Sequence, residues 1–161
     1  MSGKDRVRSY AEQVADKAEQ MIALVCGIPE DRLRKKPAPD SWSAMEVLCH
    51  VEEALRYWRE ELLRVVRAGG GTWGRTLQHE GRLRAVAEAD NRRPGEVIDG
   101  IRTEARATSE ALLTLSDADL ELEAPHVNPK FGVKPMSFLL DHFVVEHLDI
   151  HIRQIRRALD A

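Results

Sequence analysis

Apolar residues recur every three or four positions along four long stretches of the chain, a spacing typical of amphipathic α-helices. The stretches cover residues 5–26, 43–67, a segment that begins at Pro94, and residues 135–159. Helices of about 22 residues are ~33 Å long, which suits a four-helix bundle. No segment alternates with period two for long enough to predict a strand. The pattern therefore predicts an all-α protein.

Local signals predict where the second helix begins and where the chain crosses between helices. Ser43 and Glu46 fit a capping box, in which each side chain accepts a hydrogen bond from the backbone N–H of the other residue. The glycine-rich segment 69–82 predicts a flexible crossover, followed by a short helix over residues 83–89. The polar, proline-rich segment 116–135 predicts a long loop with at most a short turn.

Composition places the chain among soluble globular proteins. Its 161 residues suit a single domain over 1–161, and 43% hydrophobic and 32% charged residues exclude a disordered chain. The net charge of −3 lacks the basic footprint of a nucleic-acid-binding protein. No apolar run is long enough to cross a membrane, and the N-terminal residues lack the apolar core of a secretion signal, so we expect a cytoplasmic protein. Cys26 and Cys49 are then expected to be reduced, buried side chains.

Three of the six histidines fall on helix faces that could converge. His147 and His151 are four residues apart, about 40° around the helix axis, so both imidazoles can reach one metal ion. His50 lies on the apolar stripe of the second helix and points into the bundle, where it needs a polar partner. The spacing leaves three interpretations open: a shared metal site, surface histidines, or hydrogen bonds within the core.

The remaining histidines are not expected to bind the same ion. At 100° per residue, His142 lies roughly opposite the midpoint of the His147–His151 pair. His79 and His126 lie in predicted loops and are expected at the surface. Trp73, in the glycine-rich crossover, is hard to bury there and is a candidate for lining the mouth of a pocket.

Two segments resemble motifs of the DinB/YfiT-like superfamily. Residues 40–51 (DSWSAMEVLCHV) are similar to its "W-S … E-V-L-x-H-L" segment, and residues 146–155 (EHLDIHIRQI) resemble its closing helix. The resemblance spans essentially the whole chain. It implies an up-up-down-down type of four-helix bundle with long crossovers and a metal ion bound by His50, His147 and His151.

The resemblance also implies a class of chemistry. Three neutral imidazoles leave coordination positions open, as in catalytic rather than structural metal sites. Imidazole suits several divalent transition metals, of which we expect Zn or Ni. Metal-bound histidines usually donate their other N–H to a neighbouring acceptor, and Glu53 and Gln154 are the candidates for that role.

Family members include transferases and isomerases that use low-molecular-weight thiols. We therefore expect a metal-dependent thiol transferase or a hydrolase acting on a small molecule, with a low-molecular-weight thiol as a candidate partner. The alternative is a non-catalytic metal-binding or stress-response bundle that acts through dimerisation. In either case a homodimer is expected, because the first and last helices carry apolar residues beyond one stripe.

Overall fold

Long helices form where the apolar periodicity predicts them. The computed structural model describes residues 3–161, and it is mostly helical with one small sheet. The helices are α1 (Asp5–Val25), α2 (Glu30–Arg34), α3 (Ala44–Ala68), α4 (Glu80–Ala87), α5 (Pro94–Leu113), α6 (Met136–Leu140) and α7 (Glu146–Asp160), and the strands are β1 (Glu123–Pro125) and β2 (Val133–Pro135). Short 3₁₀ turns cover Ala89–Asn91 and Asp119–Glu121.

The predicted capping box fixes the start of α3. The backbone N–H of Glu46 donates to Ser43 Oγ at 3.1 Å, and the N–H of Ser43 donates to Glu46 Oε1 at 2.9 Å. These two bonds satisfy donors that the first turn of a helix leaves unpaired. Gly69 ends the helix with φ of 72°, the left-handed conformation that glycine adopts without steric cost.

Contacts between the long helices define the chain direction. Tyr10 bonds Asp141 and Lys17 bonds Asp149, so α1 runs parallel to the last helix. Arg59 pairs with Glu104 and Arg92 with Glu52, so α3 and α5 are parallel as well.

The two parallel pairs oppose each other. Ser109 bonds the carbonyl of Ala11, whereas Lys4 bonds that of Leu113, so α1 and α5 are antiparallel. The long helices therefore run up, down, down, up in chain order. The up-up-down-down order that we expected is wrong. After α3 ends, the crossover returns the chain to the end of the bundle at which α3 begins, and α5 starts there.

A small hairpin occupies part of the segment that we predicted to be a loop. Strands β1 and β2 pair antiparallel, with Ala124 opposite Lys134. Trp73 joins this unit from the crossover, because its backbone N–H donates to Pro125 O at 3.0 Å and its carbonyl accepts from the N–H of Val127 at 2.8 Å. Each strand has three residues, too few for alternation to be visible in the sequence.

The last helix contains a wide turn that periodicity did not predict. Residues Asp141–Val145 form a π-helical turn between α6 and α7. A π turn holds more residues than an α turn, so it shifts the angular position of residues before it relative to those after it. The angular positions of residues in α6 and α7 therefore cannot be calculated from a single rotation of 100° per residue.

Apolar side chains from all four long helices form the core. Val14, Val51, Ile101 and Leu148 are each fully buried. Of the two cysteines, Cys49 is buried as expected, whereas Cys26 is exposed because it caps the end of α1 outside the bundle. Among the described residues, none of the helices combines the length and the apolar character needed to cross a bilayer.

Candidate metal centre

Three histidines converge between α3 and α7. His147 Nε2 lies 2.9 Å from His50 Nε2 and 3.0 Å from His151 Nε2. One ring nitrogen from each residue lies within 4.8 Å of the others, and His50 and His151 are buried while His147 is partly buried. The convergence that the spacing allowed is therefore present: α3 supplies one ring and successive turns of α7 supply two.

Hydrogen bonding alone does not satisfy this arrangement. His147 Nε2 has either one proton or one lone pair, so it cannot form two well-directed hydrogen bonds to the other rings. Gln154 Oε1 lies 2.7 Å from His151 Nδ1, which places the proton on Nδ1 and leaves a lone pair on His151 Nε2. A cation between the three Nε2 atoms would use all three lone pairs. The donor set thus fits a metal ion that prefers imidazole nitrogen.

The surroundings keep the imidazoles neutral. Burial lowers the pKa of His50 to about 3, and the positive charges of Arg82 and Arg75 act in the same direction. Burial also lowers the pKa of His147 well below its ordinary value, with the neighbouring histidines adding to the effect. Burial lowers the pKa of His151 as well, although the hydrogen bond to Gln154 opposes this effect. Neutral imidazole is the form that binds metals.

Of the two acceptors proposed to support the histidines, Gln154 lies beside His151, whereas Glu53 pairs with Arg75. Both Glu53 oxygens accept hydrogen bonds from the guanidinium of Arg75 at 2.7 Å, so this carboxylate is engaged by a cation and not by a histidine N–H. Among the described residues, His50 Nδ1 is buried without a hydrogen-bond partner. Arg75 also lies over the ring of Tyr57, 4.1 Å from its centroid. The ion pair therefore fixes the crossover against α3 next to the histidines.

Two cavities meet at the cluster. The first, which we call the inner cavity, has a volume of about 240 Å³ and is lined by the three histidines together with apolar side chains. The second, the outer cavity, has a volume of about 430 Å³ and lies on the side of Trp42 and Gln154. Arg82 and His151 line both cavities, so they mark the boundary between them.

Trp42 packs against the cluster. Its ring centroid lies 5.2 Å from that of His50 and 6.4 Å from that of His151, with the latter pair nearly parallel at 17°. Arg82 lies on the same tryptophan, with its guanidinium carbon 5.6 Å from the ring centroid. Trp42 therefore links the histidines to Arg82, a cation that no sequence motif indicated.

Of the other three histidines, His142 and His126 occupy different positions from those expected, whereas His79 lies in a loop as predicted. His142 lines the inner cavity instead of lying opposite His147, because the π turn intervenes, but it is outside the three-histidine group and its Nδ1 lies 3.1 Å from Glu146. His126 is buried and accepts at Nδ1 from the N–H of Asn128 at 2.8 Å, which corrects its expected surface position. His79 is partly exposed beside Tyr57, with ring centroids 5.2 Å apart.

Trp73 does not line a pocket mouth. Its side chain is fully buried, and its indole N–H donates to Ala124 O at 2.9 Å. The prediction was wrong because the crossover pairs with the hairpin, a contact between segments far apart in sequence. His126 is buried by the same pairing, its ring lying across that of Trp73.

Comparisons with known proteins identify the family and the fold of the chain. The sequence profile of the DinB superfamily matches residues 13–155. A search of curated proteins finds no match. Among solved structures, the chain is similar to YfiT from Bacillus subtilis, described as a probable metal-dependent hydrolase with an unusual four-helix bundle topology. The TM-score is 0.81 at 12% identity, covering 96% of this chain and 86% of that one, which shows a shared fold. With the profile matching most of its length, the chain belongs to the DinB superfamily.

Proposed function

We propose that His50, His147 and His151 bind a divalent transition metal ion, Zn or Ni, in a site that supports hydrolysis or thiol transfer. The observation that carries this proposal is the approach of two Nε2 atoms to His147 Nε2, at 2.9 and 3.0 Å. Zinc–imidazole bonds of ~2.0–2.1 Å around one ion need donor nitrogens only slightly farther apart.

The chemistry follows from the charge and number of the ligands. When bound by three neutral imidazoles, such an ion supplies a nucleophile at neutral pH by lowering the pKa of water towards ~7, and it deprotonates a thiol outright. The inner cavity offers space for a small substrate beside the histidines. The description of YfiT as a probable metal-dependent hydrolase supports the hydrolytic form of the proposal.

Metal content of purified and metal-loaded protein tests the binding step. We expect about one Zn or Ni ion per chain, as in three-ligand catalytic zinc sites. His147→Ala should lose that ion, whereas His142→Ala, which removes an imidazole from the same cavity but not from the cluster, should retain it. A wild-type chain that cannot be loaded with either metal contradicts the proposal.

Activity of the loaded protein separates the catalytic proposal from its alternative. Ester and amide panels test hydrolysis, and low-molecular-weight thiols paired with electrophiles test transfer. If metal removal lowers only the unfolding temperature and no substrate turns over, the non-catalytic metal-binding bundle is supported instead.

The homodimer is a separate proposal, which sedimentation equilibrium of the full chain tests directly.

A further inference from the structure

A cation without a carboxylate partner lies next to the histidine cluster. Among residues 3–161, the guanidinium of Arg82 forms no ion pair, and it donates one hydrogen bond, from Nη1–H to Leu77 O at 3.1 Å. Arginine has five N–H donors, so most of them remain available. By contrast, Glu53 neutralises Arg75 through two hydrogen bonds of 2.7 Å. The site therefore keeps one uncompensated positive charge.

The position of that charge is fixed relative to the histidines. Arg82 lies over Trp42, and the Trp42 ring in turn lies nearly parallel to that of His151. A guanidinium against an indole face gains cation–π stabilisation and loses freedom. Since Arg82 lines both cavities, an anionic group held there would lie within the same site as the three Nε2 atoms.

The electrostatic surroundings favour an anion. Partial burial and the charge of Arg75 both lower the pKa of Arg82, and the charge of Glu53 only partly opposes this fall, so the charged form of Arg82 is destabilised where it lies. The outer cavity also exposes Arg157 and Asp40, whose charges cancel, so Arg82 determines its net sign. A metal ion bound by three neutral imidazoles would add two further positive charges. An anionic ligand would offset this excess.

The inner cavity, which Arg82 also lines, has several apolar side chains beside its histidines and Arg75. The inner cavity is lined by Trp58, Phe143, Leu77 and Ile150, and the last two are large apolar side chains with 66% and 48% of their surfaces exposed. Exposed apolar side chains around a concave site are typical of ligand-binding surfaces. The site thus combines an apolar wall with one unpaired cation.

We propose that Arg82, supported by Trp42, anchors the anionic group of the substrate, which is a small organic anion with an apolar body. This inference rests on the proposed function, because it assigns the substrate to the cavity beside the same histidines. Arg82 is charge-complementary to a carboxylate and can bind it through two parallel N–H donors.

Titration with a matched pair of probes tests the anchor. Hexanoate and hexanamide have nearly the same shape and differ in charge. The Arg82 Nε–H and Trp42 indole N–H signals in ¹H–¹⁵N NMR spectra report binding of each probe to the full chain, both metal-free and zinc-loaded. We expect hexanoate to bind about tenfold more tightly than hexanamide, and to shift both signals, because a hydrogen-bonded charge replaces a neutral amide.

Variants of two arginines on α4 identify the residue responsible. Arg82→Gln should abolish the preference for hexanoate while zinc content stays unchanged. Arg84→Gln is the matched control, because it removes the same charge from the same helix at an exposed side chain paired with Glu80. Arg82→Lys should keep part of the preference.

The results of these titrations distinguish the anion anchor from the metal proposal. Equal affinities of the wild type for the two probes, or an unchanged preference in Arg82→Gln, overturn the inference and leave the metal proposal standing if zinc is bound. An equal loss in Arg84→Gln also overturns it, since a general charge effect would then explain binding. If the chain binds no metal but keeps an Arg82-dependent preference for hexanoate, the proposed function fails and the anion anchor survives. Should Arg82→Gln not fold, the wild-type comparison still decides.

Discussion

His151 donates its Nδ1–H to Gln154 Oε1 across 2.7 Å, so its Nε2 lone pair faces the other two histidines. This bond holds both the tautomer and the orientation of the ring without any metal present. An acceptor of this kind raises the basicity of a ligating imidazole. Gln154 therefore prepares one of the three proposed ligands.

Gln154→Ala should weaken metal binding while leaving the three histidines in place. We expect an affinity loss of about 10–100-fold, the range for removal of such an acceptor. Competition with a chromophoric chelator measures it. Arg153→Ala changes the neighbouring exposed side chain of α7 and should leave the affinity unaltered. Equal affinities of Gln154→Ala and the wild type would contradict the role assigned to the amide.

Acid should destabilise the metal-free protein. Histidine in an unfolded chain titrates near ~6.5, whereas burial lowers the pKa of His50 to about 3 in the folded chain. Below pH ~6.5 the unfolded state therefore binds protons that the folded state does not, and stability that is complete above that pH is lost as the pH falls towards 3. His147 and His151 act in the same direction.

Urea unfolding in the presence of a chelator at pH 7.5 and pH 5 measures this dependence. From His50 alone, the free energy of unfolding should fall by up to about 1.4 kcal/mol per pH unit between these values. His50→Gln, which cannot titrate, should show a smaller fall. A wild-type stability that rises towards pH 5 would mean that the histidines are charged in the folded protein.

Removing one partner of the buried ion pair in the crossover should lower the free energy of unfolding more than replacing both partners. Side chains of Glu53 and Arg75 are only 13% and 5% exposed, so Arg75→Met leaves a buried carboxylate without compensation. We expect a loss of about 3 kcal/mol in unfolding free energy. The double variant Glu53→Gln/Arg75→Met should recover much of it. Additive effects of the two single changes in denaturant unfolding would show that the pair is not coupled.

Gly74 allows the crossover to contact the hairpin. Its φ is +95°, and a Cβ atom there would lie 2.4 Å from His126 Nε2. Gly74→Ala should therefore reduce the unfolding free energy by about 2–4 kcal/mol, from backbone strain and steric overlap together. Gly71→Ala, with φ of +102° and open space around it, isolates the backbone contribution and should cost less. Thermal unfolding of both variants provides the comparison.

The two thiols should differ in reactivity. Burial raises the pKa of Cys49 to about 11, so little thiolate forms at pH 8, and its side chain is inaccessible. Cys26 is exposed. Iodoacetamide at pH 8 should label Cys26 in the native protein and Cys49 only after unfolding, as peptide mass spectrometry can determine. Equal labelling rates would indicate that the core around Cys49 opens readily.

Periodicity predicted the helices and the face on which each proposed ligand lies. His50 belongs to a stripe that must be buried, and His147 and His151 lie on one face at any plausible helical pitch. These inferences need only local geometry, and the three rings do lie together in the structure, whereas their role as metal ligands stays a prediction. The family resemblance then assigned the fold correctly, although not the order of helix directions.

The remaining features depend on contacts that a linear pattern does not contain. Arg75 and Arg82 lie in or beside an aperiodic crossover, and only its folding against α3 brings them to the cluster. Trp73 and His126 are buried by pairing between two loops. The predicted position of His142 is wrong because the α-helical angle of 100° per residue does not hold through the π turn. Trp73 itself was the one sequence signal, because a large apolar side chain in a polar loop usually needs to be buried.

The cluster joins residues that are 97 positions apart, His50 near the start of α3 and His147 near the end of the chain. Most of the polypeptide must be in place before these rings can meet, so the nascent chain has no site until its last helix docks. Native contacts between residues so far apart in sequence form later than any single helix. Metal uptake by a refolding chain would therefore follow the final docking step, and its rate would report on completed assembly rather than on early collapse.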